Sequence, residues 1–128
     1  MKTLQVSLNV KPLSANIMYL RNRHKTAAYK KYQMEILDEL KGTEWPFGNS
    51  PVNFDIDAGF STRAADIDNV LKPLLDTFQS IYDDFNDNKV YGLTATKYIV
   101  PKGKEFLVVR IEETTETDIE NSKLKPKS

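Results

Sequence analysis

Apolar and polar positions alternate from the start of the chain. Leu4, Val6, Leu8 and Val10 interleave with Gln5, Ser7 and Asn9, the period-two pattern of a strand with one buried face. Residues 11–25 break that pattern with Pro12 and a run of polar and basic residues, and read as a loop. Thr26 is placed to cap a helix whose apolar stripe is Tyr29, Tyr32, Ile36, Leu37 and Leu40, with Gly42 closing it. After a connection over 43–51, Val52, Phe54, Ile56 and Ala58 alternate with Asn53, Asp55 and Asp57 as a second strand, whose two aspartates read as a solvated face. A loop over 59–65 leads to a second helix, striped by Val70, Leu71, Leu74, Leu75, Phe78, Ile81 and Tyr82. Pro73 confines its regular part, because proline fits only the first turn. A polar loop over 83–89 precedes a strand at 90–100. The turn Pro101-Lys102-Gly103-Lys104 then reverses the chain into a last strand at 105–111. The order β-α-β-α-β-β predicts a single small α+β domain over 1–112, with a mixed sheet packed against helices. From 113 to 128 only Ile119 and Leu124 are apolar, so this tail is expected to be disordered.

Composition narrows the chemistry. The 128 residues include no cysteine and one histidine, which excludes a disulfide scaffold, a Cys₄ or Cys₂His₂ zinc site and a cysteine nucleophile. No apolar run is long enough to span a membrane or resemble a signal peptide, so a cytoplasmic domain without membrane partners is expected. The net charge of zero conceals segregation. Residues 1–34 hold seven basic side chains and no acid, whereas 35–96 hold twelve acids against four bases. A basic third beside an acidic middle is one way to hold a polyanion near a metal; differently charged solvated faces are the plainer reading.

The densest polar constellation is Asp66-Ile67-Asp68-Asn69, followed by Lys72 and then Asp83, Asp84 and Asp87. Three converging carboxylates repel unless a cation intervenes, and Mg²⁺ or Mn²⁺ suits carboxylate oxygen. Such a metal supports phosphodiester hydrolysis, and Lys72, four residues after Asp68, is spaced to steady charge developing on phosphate. The alternative for Asp66 and Asp68 is helix capping, and for Lys72 a surface ion pair.

The string Asp66-Ile67-Asp68-Asn69-Val70-Leu71-Lys72-Pro73-Leu74-Leu75-Asp76 resembles the central motif of the RusA family of Holliday-junction resolvases. Asn86-Asp87-Asn88-Lys89-Val90, Lys97, and the opening Lys11-Pro12-Leu13-Ser14-Ala15-Asn16 with Tyr19 extend the likeness over about residues 4–112, notably to phage and prophage members. The resemblance implies a homodimeric, Mg²⁺-dependent endonuclease of DNA recombination and repair that nicks opposed strands of a four-way junction, with Mn²⁺ as a substitute. It carries Asp66, Asp68 and Asp87 over as metal ligands and Lys72 as a catalytic or phosphate-contacting base. Family members commonly have two adjacent acids in the later loop; here that pair, Asp83-Asp84, falls early, which keeps either as an alternative to Asp87. Lys11, Asn16, Arg21, Arg23, Lys25, Lys30, Lys31 and Lys97 are the expected DNA contacts. The competing readings are a non-catalytic junction-binding module and a more general branched-DNA nuclease.

Overall fold

One-sided burial turns the alternating segments into a sheet. The computed structural model describes residues 1–116, over which the chain forms β1 (Thr3–Leu8), α1 (Ala27–Glu39), β2 (Val52–Phe60), α2 (Leu71–Ile81), β3 (Val90–Ile99) and β4 (Phe106–Glu113). This is the expected α+β order. Both helices cover one face, where Leu8, Phe54, Ile56, Leu74, Phe78, Leu107, Val109 and Ile111 are almost fully buried. Among the described residues no helix is long and apolar enough to cross a membrane.

Strand order is β1-β4-β2-β3. The reversal at 101–104 therefore does not pair β3 with β4; β4 crosses to lie antiparallel between β1 and β2. Its register aligns Leu4, Ile111 and Phe54, then Val6, Val109 and Ile56, in rows facing the helices. The opposite face is polar, and there Asp55 and Asp57 are more than solvated side chains: Arg110 donates to Asp55 at 3.0 Å and to Asp57 at 2.7 Å. β2 and β3 run parallel, with α2 as their crossover.

Several boundaries move. β2 continues through Gly59 and Phe60, which were expected to begin a loop, because Gly59 pairs with Phe106 and Phe60 is buried. β4 runs to Glu113, and Thr114 N–H still donates to the Pro51 carbonyl, so the tail is anchored later than expected. The expected disorder otherwise concerns residues 117–128, which lie outside the described residues. Thr26 caps α1 by accepting from Tyr29 N–H, and Gly42 adopts φ +80° in the turn after it. Leu37 is exposed, not buried, since Tyr29, Tyr32 and Ile36 already form the face of α1 that meets the core. The 43–51 connection is partly core: Phe47 is buried, and Trp45 stacks among Phe47, Tyr82 and Phe85 with ring centroids 4.7–5.5 Å apart.

Gly59 has no room for a side chain, because a Cβ there would collide with the Phe106 ring. Gly59→Ala is expected to cost roughly 1–3 kcal/mol in chemical denaturation. Much of that loss should disappear in Gly59→Ala/Phe106→Ala, since the two positions are in direct contact.

Two buried tyrosines set an alkaline limit. Burial, and then the charges of Asp76 and Tyr19, push the Tyr29 hydroxyl up to about 12. Burial raises Tyr32 further, and its hydroxyl has no hydrogen-bond partner among the described residues. Folding thus favours the neutral phenols, an advantage that is full below the unfolded value near pH 10 and is lost as pH rises toward the folded values. The melting temperature is expected to fall steeply between about pH 10 and 12. Tyr29→Phe with Tyr32→Phe should flatten that fall, and Tyr32→Phe alone should not destabilise at neutral pH, because it removes an unsatisfied polar group.

Candidate functional site

The acidic motif stands where the chain leaves β2 and enters α2. A short 3-10 turn, Ile67–Val70, joins them, with Asp66 at its N-cap and Asp68 in its first turn. Asp66 has the extended backbone of a cap, φ −95° and ψ 126°, yet its side chain makes no capping hydrogen bond. α2 itself is preceded by Val70, which offers no side-chain cap either. Among the described residues the carboxylates of Asp66 and Asp68 accept no hydrogen bond and join no ion pair, and both residues are exposed. The capping alternative therefore lacks the bond that would define it.

Lys72 does not turn back to Asp68. Its ammonium lies 3.2 Å from Asp76, one helical turn onward. Asp68 belongs to the 3-10 turn, so the spacing of four does not carry it onto the α-helical face of Lys72.

Asp87 is on the far side. It opens the 3-10 turn Asp87–Lys89 that leads into β3, and its N–H donates to Gln79 Oε1 at 2.9 Å near the end of α2. Because β2 and β3 are parallel, the start of α2 lies at their carboxyl ends and the end of α2 at their amino ends. Asp66 is fixed at the first end through its neighbour, since Lys97 Nζ donates to the carbonyls of Arg63, at 2.7 Å, and Ala65. From Val90 to Lys97 the strand covers about 23 Å, and Asp87 lies a further turn away. Asp83 and Asp84 follow the end of α2 and share that remote location. One protomer does not gather Asp66, Asp68 and Asp87, and among the described residues no three His, Asp or Glu side chains form a group able to hold a metal. The pair Asp66 and Asp68 suits Mg²⁺, which is commonly held by one or two carboxylates with water and substrate phosphate. The three-ligand set does not fit within a single chain.

The basic segment is an ordered hairpin beside this motif. Tyr19 and Lys25 form an isolated bridge, and Leu20 N–H donates to the His24 carbonyl at 2.8 Å. Arg23 sits at the tip with φ 67°, a left-handed conformation rare for arginine. Arg21, Arg23, Lys25, Lys30, Lys31 and Lys11 are all exposed, as is Asn16. Lys25 lies over the Tyr29 ring at 5.4 Å and donates to Gln33, and Lys31 pairs with Glu35 at 3.8 Å. The Ala15–Ile17 turn before the hairpin packs against both α2 and the Ile67–Val70 turn, which brings the basic loop to the Asp66 end.

Sequence reasoning missed the role of Lys97. Expected to contact phosphate, it directs its ammonium to two loop carbonyls and passes 5.9 Å from the Phe60 ring. Its odd parity with Ala95 on the helix-facing side of β3 was the available signal. A surface hollow of about 660 Å³ is on the open sheet face and remote from the acidic motif. Arg110 in its lining is already engaged by Asp55 and Asp57.

No protein-family model matches the chain, and a search of the curated proteins returns no match.

If Lys97 holds the loop that carries Asp66, Lys97→Met should raise amide hydrogen exchange over 62–68 by about tenfold or more. The exchange rates of β4 should stay unchanged, and equal acceleration throughout the sheet would mean a general loss of stability.

Proposed function

We propose that this chain is a Mg²⁺-dependent, structure-selective endodeoxyribonuclease of the RusA type, acting as a homodimer on four-way DNA junctions in recombination and repair. The observation that carries the reading is the state of Asp66 and Asp68: two exposed carboxylates at capping positions, without the capping bond or any ion pair among the described residues. Their company supports it. The Arg21–Lys25 hairpin reaches the same end of the fold and offers cations suited to backbone phosphates, which favours recognition of shape over sequence. When bound, the metal supplies a low-pKa water and a Lewis acid for phosphodiester hydrolysis. Lys11, Arg21, Arg23, Lys25, Lys30 and Lys31, with Asn16, hold the branched substrate, and Asp66 and Asp68 anchor the ion. Lys72, poised by Asp76, is available to the scissile phosphate. Paired nicks need two active sites, and each chain supplies one set of these residues, so a two-fold dimer follows.

One observation favours a second reading, a junction-binding module without chemistry: three carboxylates do not converge within a protomer. Asp68→Asn separates the two. The change keeps a side chain that caps as well as aspartate but removes an anionic ligand. With labelled junction, duplex and single strands in Mg²⁺, the folded variant is expected to lose roughly 100-fold or more in junction nicking while retaining gel-shift affinity. Ca²⁺ should support binding without cleavage by the wild type. Near-normal nicking by Asp68→Asn, or no nicking of any branched DNA by the wild type, overturns the nuclease reading.

A further inference from the structure

The basic hairpin carries apolar side chains that the fold does not use. Ile17, Tyr19 and Leu20 are 47–54% exposed, and none of them belongs to the packed core. Exposed apolar residues scattered singly need no explanation, but three within four positions form a patch. Their backbone is nevertheless fixed. Met18 is buried between them and roots the hairpin, its carbonyl accepting from Thr26 N–H at 3.0 Å. Leu20 is held from both sides: its N–H donates to the His24 carbonyl, and its own carbonyl accepts from Arg23 N–H at 2.9 Å. Tyr19 stands edge-on to the buried Tyr29 ring, with centroids 5.8 Å apart. The patch is thus displayed from an ordered backbone, which lowers the entropy cost of using it to bind.

Its surroundings indicate what it meets. Residues 1–34 contain no acid, and among the described residues Arg21 and Arg23 join no ion pair. Apolar side chains set among unneutralised cations match a partner that offers anionic groups beside flat apolar faces. DNA is such a partner, with phosphates outside and base faces within. In continuous duplex every base pair is covered by a stacked neighbour on each side. At a branch point the stack is interrupted, so an apolar side chain enters there at least cost. An anionic membrane surface also takes basic and apolar residues together. The hairpin, however, packs through the Ala15–Ile17 turn beside Asp66 and Asp68, whose charge such a surface repels. On DNA the same carboxylates can share a cation with a phosphate.

We infer that Leu20, with Tyr19 beside it, is a wedge that enters the base stack at a DNA branch point while Arg21 and Arg23 hold the flanking phosphates. This rests on the proposed reading that the substrate is branched DNA, but not on the metal or on strand cleavage. It divides recognition into two tasks. The cations bind any DNA, because phosphates carry no information about sequence or branching. The apolar tip supplies the preference for a branch, and the half-exposed Tyr19 ring offers a surface on which a displaced base stacks.

The test uses the full chain in Ca²⁺, under which the proposed nuclease binds without nicking. A four-way junction carries 2-aminopurine, whose fluorescence rises on unstacking, at the branch point, and a duplex of equal length carries it at the centre. Wild type is expected to raise the junction signal and leave the duplex signal unchanged. Leu20→Ser should abolish the rise and weaken junction binding about tenfold, with duplex affinity kept within about twofold. Its melting temperature should not change, because Leu20 lies outside the core. Leu20→Phe, which keeps an apolar tip, should restore both signal and affinity. A junction signal as large with Leu20→Ser as with wild type, or equal losses on junction and duplex, overturns the wedge. An altered oligomeric state of Leu20→Ser in light scattering assigns the patch to a contact between copies and also overturns it. Leu20-dependent binding to phosphatidylserine vesicles, without a junction signal, does the same in favour of a membrane. Nicking assays in Mg²⁺ keep the two proposals apart. Branch unstacking by a wild type that nicks no DNA leaves the wedge standing and removes the nuclease reading. Junction-selective nicking by Leu20→Ser equal to that of wild type does the reverse.

Discussion

The parallel pairing of β2 and β3 governs the rest of this molecule. Parallel strands cannot be joined by a tight turn, so the chain must return along a crossover, and α2 is that crossover. Its two ends are thereby assigned to opposite ends of the sheet. The motif that begins it and the acidic loop that follows it become distant by construction, however close their spacing looks on paper. The same pairing leaves β3 at the edge, because β4 inserts on the other side of β2 and closes the core there. Separation of the carboxylates and exposure of the edge are thus two results of one connection.

Local interactions then decide what each end can do. At the carboxyl end, Lys97 fixes the loop before Asp66, and the Ala15–Ile17 turn packs the basic hairpin alongside. At the amino end, Gln79 holds the backbone of Asp87, and Trp45, Tyr82 and Phe85 stack beneath the same loop. Both acidic segments are therefore placed on packed structure, which is what precise ligand geometry requires. Among the described residues the carboxylates of Asp66 and Asp68 are left unengaged, whereas Asp55, Asp57 and Asp76 each have a cationic partner. That contrast separates acids that complete the fold from acids available to a ligand.

Much of the architecture was legible in the sequence, because strands with one buried face announce themselves by period two and helices by their caps. Thr26, Pro73 and the alternations at Leu4–Leu8 and Val52–Ala58 each act locally, and each element formed where they indicate. Strand order was not legible. The reversal at 101–104 looks the same whether β4 returns beside β3 or passes over β2, and the choice is made by rows of side chains fifty residues apart. The partners of Asp55 and Asp57, and the burial of Phe47, are non-local for the same reason. The acidic motif was visible as a pattern, but the pattern carries no information about which end of a crossover each member occupies.

The claim that one chain holds its two acidic segments apart is open to direct measurement. Arg63→Cys with Asn88→Cys, spin-labelled in the otherwise cysteine-free chain and diluted in excess unlabelled protein, reports the separation within a protomer by pulsed electron paramagnetic resonance. Arg63 is tied to Lys97, and Asn88 lies just before β3, so a distance distribution centred near 25 Å is expected from the strand rise. A single narrow distribution below about 15 Å would contradict the topology on which the whole account rests.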